Sequence, residues 1–316
     1  MPQFYYSPAF LNHDTGQHPE NATRLRQVVD HLERSGTLSA CEAVEFAPVA
    51  ADETERVHSA DAIRALEALA EGGGGRADAD TVVCPVSLDV AKLAAGAVCE
   101  ATRQVVAGAA RHAFCAVRPP GHHALPDRAM GFCLINHIAV AARLALEELE
   151  LDRVVIVDWD VHHGNGTQDI FYDNSRVGFF SAHRWPFYPG TGAADETGAG
   201  DGLGATRNLP MKFGVSRDRY LSWFARELGD FCDRIKPQLV LLSAGFDAHR
   251  EDPVGSLGLE TEDFADLTRI VMDAAAAHAE GRIVSVLEGG YNPPVLADCV
   301  AAHLEELIAR EAEEPA

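Results

Sequence analysis

Asp158, Asp160 and His162 stand two residues apart at the end of an apolar run, Val154-Val155-Ile156-Val157. Alternate residues of an extended chain point the same way, so these three side chains project on one side. An aspartate and a histidine at that spacing offer an oxygen and a nitrogen ligand to a small divalent cation. A metal centre that does chemistry takes about three protein ligands and keeps a position open for water or substrate. Asp247, which lies just after a different apolar run, is the candidate third ligand. Two carboxylates and one imidazole suit Zn²⁺, and Fe²⁺ is also compatible.

Other residues supply what a metal alone does not. His122 and His123 are adjacent imidazoles that titrate near neutrality and can divide base and acid roles. Each needs a partner to fix its tautomer, and Asp158 and Asn165 are the candidates. A histidine paired with a carboxylate is more basic than one paired with an amide, so the two rings should differ in pKa. Tyr291 comes directly after Gly289-Gly290, and two glycines let a loop turn sharply and aim the next side chain. A phenol O–H so aimed can stabilise an oxyanion.

These residues need elements to hold them. Short apolar runs at 114–118, 154–158, 177–181, 239–243 and 283–287 read as strands buried on both faces. Amphipathic stretches at 87–110, 136–149, 216–235 and 261–279 alternate with them as helices, with Ser87, Ser216 and Thr261 at N-cap positions. The N-terminal Gln3-Phe4-Tyr5-Tyr6 segment reads as a first strand. This order predicts one α/β domain over residues 1–316, three-layered, with a mostly parallel central sheet flanked by helices. Ligands of such sheets bind beyond the carboxyl ends of the strands. Every one of the five runs ends in ionisable or polar residues beside glycine. In chain order these are His122-His123, Asp158 to His163, Ser181-Ala182-His183, Asp247, and Glu288 to Tyr291. Residues 184–208, rich in Gly, Pro and Ala, read as a long loop near the site. The Gly72–Gly75 run is a surface loop and not a phosphate cradle, because no Gly-Lys-Ser/Thr comes after it.

Composition narrows the partners. The 316 residues carry 26 basic and 48 acidic side chains, a net charge of −22, which disfavours direct binding of nucleic acid. Seven cysteines, odd in number and with no Cys-x-x-Cys pair, read as reduced, mostly buried thiols. There is no apolar stretch of membrane-spanning length and no signal-peptide pattern at the N-terminus, so a cytoplasmic protein without membrane contact is expected. No feature specifies an oligomeric state.

Taken together, the motifs resemble the histone deacetylase and acetylpolyamine amidohydrolase superfamily, the arginase-like deacetylases. The matching pieces are Arg118-Pro-Pro-Gly-His-His123, Gly131-Phe-Cys133, Asp158-Trp-Asp-Val-His-His-Gly-Asn-Gly-Thr167, Pro189-Gly-Thr-Gly192, Gly245-Phe-Asp-Ala248, Asp252-Pro253 and Glu288-Gly-Gly-Tyr291, with His18-Pro-Glu20 upstream. The resemblance implies a zinc-dependent deacetylase that removes acetyl groups from N-acetyl-lysine side chains of proteins or peptides. Acetylated polyamines or other small N-acetyl amines are the alternative substrates, and a non-catalytic acetyl-lysine binder is a rival of a different class. It implies a metal on Asp160, His162 and Asp247, and catalysis by His122, His123 and Tyr291. It further implies Asp158 and Asn165 as partners of the histidines, a substrate-binding carbonyl at Gly131, and tunnel walls at Phe132 and Tyr188. A structural K⁺ is implied near Asp158, Asp160, His162, Ser181 and Ala182. Asn165 and the Asp252-Pro-Val-Gly255 stretch are similar to the class II branch. Three departures stand out. Asn165 replaces the Asp of class I members. Asn21 sits near where many members carry an Arg. Val254 replaces the Glu that polyamine-selective relatives can carry.

Overall fold

The computed structural model describes residues 1–313. Its strands are β1 (Gln3–Tyr5), β2 (Glu42–Ala43), β3 (Gly75–Arg76), β4 (Val82–Val83), β5 (His112–Cys115), β6 (Val154–Asp158), β7 (Val177–Arg184), β8 (Thr206–Met211), β9 (Val240–Ala244) and β10 (Ile283–Leu287). Its α-helices are α1 (Ala22–Ser35), α2 (Ala51–Glu55), α3 (Ala60–Glu71), α4 (Ser87–Val106), α5 (His137–Glu147), α6 (Asn165–Phe171), α7 (Arg217–Ile235), α8 (Thr261–His278) and α9 (Pro293–Glu313). β3 and β4 form a small antiparallel pair. The other eight strands make one sheet in the order β2-β1-β5-β10-β9-β6-β7-β8, and every pairing within it is parallel.

The connections explain the layers. The chain builds one half of the sheet from β1, β2 and β5, skips two positions to lay down β6, β7 and β8, and returns with β9 and β10 to fill the gap. Parallel crossovers are right-handed, so reversing the direction of travel across the sheet moves the connecting helix to the other face. α4 and α5, which pack together, cover one face. α1, α9, α8 and α7, which pack in series, cover the other. β6 and β10 are buried at every residue, as expected of strands covered on both sides. α1 shows how the helices are specified. Asn21 caps it by accepting from Thr23 N–H, Leu25, Val28, Val29 and Leu32 form its buried stripe, and Gly36 ends it at φ 79°.

Some boundaries differ from those expected. β5 covers His112–Cys115 and not 114–118, because Val117 N–H turns back onto the Cys115 carbonyl and draws the chain out of the ladder. Ser87 and Thr261 lie inside their helices, whereas Ser216 is at the cap position. The Ser87 hydroxyl accepts from the Cys84 N–H at 2.7 Å, three residues before the helix begins. The irregular segment expected at 184–208 is shorter, since Arg184 ends β7 and Thr206, Arg207 and Asn208 already pair with Phe179, Phe180 and Ser181. The cysteines form no disulfide. No described helix is long and apolar enough to cross a membrane.

Candidate metal centre and catalytic pocket

The five central neighbours β5, β10, β9, β6 and β7 are the strands whose carboxyl ends carry the five motifs. Because all run parallel, the loops after them meet at one edge. Filling the gap with β9 and β10 is what brings Asp247 and Tyr291 between the histidine pair and the Asp160 loop.

Asp160, His162 and Asp247 converge, with one ligand atom from each within 4.8 Å of the others. His162 Nδ1 lies 3.0 Å from Asp160 Oδ1 and 3.1 Å from Asp247 Oδ2. All three side chains are buried. Backbone amides aim the carboxylates. Asp160 accepts from His162 N–H at 2.9 Å and from Gly289 N–H at 2.8 Å, and Asp247 Oδ1 accepts from Val161 N–H at 2.8 Å. Asp247 Oδ2 makes no hydrogen bond of good geometry. Its close polar neighbour is the His162 ring nitrogen at 3.1 Å, and a buried carboxylate oxygen so poorly satisfied costs roughly 1–3 kcal/mol, so the cluster suits a cation. Burial and then the Asp160 carboxylate push Asp247 up to about 7, the mark of surplus negative charge that a cation would relieve. Gly289 keeps the space open, since a Cβ there would stand 2.3 Å from Asp247 Oδ2 and 2.4 Å from Asp160 Oδ2. The donor set of two carboxylates and one imidazole therefore fits a divalent metal. The other grouping of ligand-type side chains, His122, Cys133 and Glu288, shares no residue with this one. No carboxylate bridges two clusters among the described residues, which disfavours a two-metal hydrolase.

The histidine pair sits beside this cluster, with ring centroids 4.0 Å apart. His122 Nδ1 donates to Asp158 Oδ2 at 2.9 Å, and His123 Nδ1 donates to Asn165 Oδ1 at 2.7 Å. Either pairing leaves Nε2 to carry the lone pair of a neutral ring. Burial opposes charge on both rings. At His122 the Asp158 and Asp160 carboxylates outweigh it and push the pKa up to about 10. At His123 burial and the neighbouring His122 and His162 push it well down, and the Asn165 amide cannot compensate. Glu288 fixes the loop from below, accepting from Gly121 N–H at 2.7 Å, His122 N–H at 3.3 Å and the Ser243 hydroxyl at 2.9 Å.

Above the cluster lies a cavity of about 220 Å³ lined by Asp80, His123, Gly131, Phe132, His162, Phe187, Tyr188, Val254 and Tyr291. Gly131 has φ 57°, and a Cβ there would stand 2.6 Å from the His123 ring, so only glycine fits. Phe132 holds φ 70°, a strained position for a non-glycine residue of the kind that gathers at functional sites. Its N–H donates to Thr81 Oγ1 at 3.0 Å. Phe187 stacks on His162 with centroids 5.2 Å apart and planes 14° apart. Tyr291 is 9% exposed, with its phenol pushed well above 10 by burial, so it remains a donor.

His163 is not at the metal cluster. It hydrogen-bonds Thr191 and Gln168, and Glu196 accepts from Gln168, Gly192 and Ala193, strapping down the loop that carries Phe187 and Tyr188. Asp158 and Ser181 are register partners on β6 and β7, and both are fully buried beside Ala182.

Sequence reasoning missed Phe187, Asp80 and, above all, Arg24. Its guanidinium lies 4.8 Å over the Tyr291 ring, donates to the Gly290 and Glu288 carbonyls, and pairs with Glu20 at 3.0 Å. Glu20 also takes Arg118 in a two-pronged pair at 2.7 and 2.9 Å. An arginine thus does reach this region, one helical turn after Asn21. The i,i+4 spacing of Glu20 and Arg24 was the available signal. Although burial alone would raise Glu20, Arg118 and then Arg24 pull it from 4.5 to about 2. Glu20→Gln leaves two buried guanidiniums short of a counter-charge and should destabilise the fold by about 3–5 kcal/mol at pH 7. Because the folded pKa is depressed, this stability is present above pH 4.5 and lost as pH falls through 2, so the gap from wild type should narrow in acid. Urea unfolding at pH 7 and pH 3 checks it, and equal midpoints at pH 7 would refute it.

Comparison with known proteins gives the family. The histone deacetylase domain model matches residues 18–307. The chain is 40% identical over 302 residues to a histone deacetylase-like amidohydrolase of Pseudomonas aeruginosa, covering 95% of this chain and 78% of that protein. It is 38% identical to a probable deacetylase of Archaeoglobus fulgidus, over 90% and 79% of the two chains. It is also 38% identical to the chloroplastic histone deacetylase 10 of Oryza sativa subsp. japonica, over 93% and 70%. The crystal structure of the HDA15 HD domain superposes with a TM-score of 0.92 at 34% identity, covering 98% of this chain and 89% of that one. With the family model spanning most of its length and the fold shared at a TM-score of 0.92, the chain belongs to the histone deacetylase family.

Proposed function

We propose that this protein hydrolyses N-acetyl amides of lysine-like side chains, the whole chain serving as one catalytic domain. The observation that carries the reading is the convergence of Asp160, His162 and Asp247 beneath His123 and Tyr291 at the base of a narrow, aromatic-walled cavity. Zn²⁺ held by those three residues, or Fe²⁺ in its place, would polarise the acetyl carbonyl and lower the pKa of the attacking water. His123, kept neutral by burial and its cationic neighbours, accepts the water's proton at Nε2. His122, held as a cation by Asp158, stabilises the negative charge that develops. The Tyr291 phenol donates to the oxyanion. His123 then returns its proton to the leaving nitrogen, so acetate and a free amine result. Phe132, Phe187 and Tyr188 wall the cavity against water, which suits a neutral acylated chain and rejects a free ammonium. The Gly131 carbonyl accepts the substrate amide N–H.

A structural K⁺ belongs to the same reading, on Asp158, Asp160, His162, Ser181 and Ala182. Its support is a buried, oxygen-rich corner where the ends of β6 and β7 meet. Seven cysteines without a disulfide support a reducing compartment such as the cytoplasm.

One observation supports the peptide over the polyamine reading. Val254, which stands where polyamine-selective relatives can carry a Glu, puts an apolar side chain in the cavity lining, and Asp80 is the one carboxylate there that a distant ammonium could meet. This favours acetyl-lysine peptides over acetylated polyamines. Acetate release from an acetyl-lysine peptide and from acetylputrescine, compared on zinc-loaded protein, tests it. We expect kcat/KM to favour the peptide, and a preference for acetylputrescine would reverse the substrate assignment.

A further inference from the structure

Arg184 has no place in the chemistry above, yet it touches one wall of the cavity and the backbone behind another. It is the last residue of β7, with its N–H on the Val161 carbonyl at 2.9 Å. The flat guanidinium lies between two aromatic rings, 4.1 Å from the Phe187 centroid and 4.5 Å from that of Phe213. Its edge donates to the Gly255 and Ser256 carbonyls at 3.1 and 3.3 Å.

The contacts to Phe187 and to the 255–256 carbonyls each lead to a wall of the cavity. Phe187 is one wall and stacks on His162. Gly255 and Ser256 belong to the turn that carries Val254, another lining residue. That turn is strained and held at several points. Ser256 has φ 66°, and its N–H donates to the Asp247 carbonyl at 2.7 Å. Asp252 accepts from Val254 and Gly255 N–H through Oδ1 and from Tyr291 N–H through Oδ2. The guanidinium therefore links the Phe187 wall to the backbone that supports Val254 and, through Asp252, Tyr291.

We propose that Arg184 is a positioning residue that sets the width of the cavity, and hence acyl-chain selectivity, by clamping the Phe187 loop to the Val254 turn. The inference rests on the deacylase reading for its consequence, though not for the clamp itself. Only arginine presents aromatic-stacking faces and a planar edge of donors at once. A lysine supplies one strongly hydrated charge and cannot do both.

Arg184→Met and Arg184→Lys test the clamp. Hydrogen exchange should accelerate by about tenfold or more in both 185–192 and 250–258, while β6 amides keep their protection and report an intact fold. With peptides bearing acetyl or butyryl groups, KM for the acetyl substrate should rise by about tenfold. The ratio of kcat/KM for acetyl to that for butyryl should fall by about tenfold, with Arg184→Lys resembling Arg184→Met. Unchanged exchange in the two segments would overturn the clamp. So would a loss equal for both acyl groups, or an Arg184→Lys enzyme that matches wild type. Wild-type protein that releases no carboxylate would instead refute the deacylase reading, leaving the exchange comparison to decide the clamp.

Discussion

Asp247→Asn is expected to bind no stoichiometric divalent metal and to lose at least ~10⁴-fold in kcat/KM, since both the polarised carbonyl and the activated water depend on that charge. Asparagine keeps the Oδ1 that accepts from Val161 N–H, so the turn retains its hydrogen bond. What disappears is the charge on Oδ2, the atom left without a partner of good geometry. Removing it also relieves the burial of charge and the repulsion from Asp160 that together push Asp247 up to about 7. The variant should therefore be as stable as metal-free wild type, or more so. Elemental analysis after dialysis against Zn²⁺, with thermal unfolding alongside, checks both halves. Full metal occupancy in the variant would refute the ligand assignment.

Tyr291→Phe is expected to keep its metal and its KM but to lose about 10²–10³ in kcat, the usual effect of deleting one oxyanion donor. The shape of the site should survive, because the ring is held independently of its hydroxyl. Arg24 packs over it, Phe132 meets it edge-on at 5.7 Å, and its N–H is fixed by Asp252. With the phenol pushed well above 10, the group is a neutral donor across the working pH range, so the deficit should not vary with pH between 6 and 9. A kcat equal to wild type would remove Tyr291 from the oxyanion role.

Much of the fold and site was legible from the apolar runs and the polar residues at their carboxyl ends. β6 and β10 begin and end where their near-continuous apolar character does. The parallel order placed the polar ends of five strands at one edge. What the runs could not reveal was which strands become neighbours. The insertion of β9 and β10 between β5 and β6 is a matter of tertiary packing, and it decides that Asp247 meets His162. β8 went unread because Thr206–Met211 mixes polar residues and a proline and is only half buried at the sheet edge. Arg24 and Arg184 were missed for a shared reason. A charged residue reads as surface unless its partners are known, and the partners here are mostly backbone carbonyls far away in sequence. Asn165 was legible as the partner of His123, but the size of the split between the two histidines depends on burial, which the sequence does not display.

The central claim is hydrolysis of an acetyl amide at one metal held by Asp160, His162 and Asp247. Its most direct test is acetate release from an N-acetyl-lysine peptide while metal-free protein is titrated with Zn²⁺. The account predicts turnover that rises linearly to one metal per chain and then stays level, with one amine freed for each acetate. Absence of acetate release at full metal occupancy, or turnover that does not depend on metal, would contradict it.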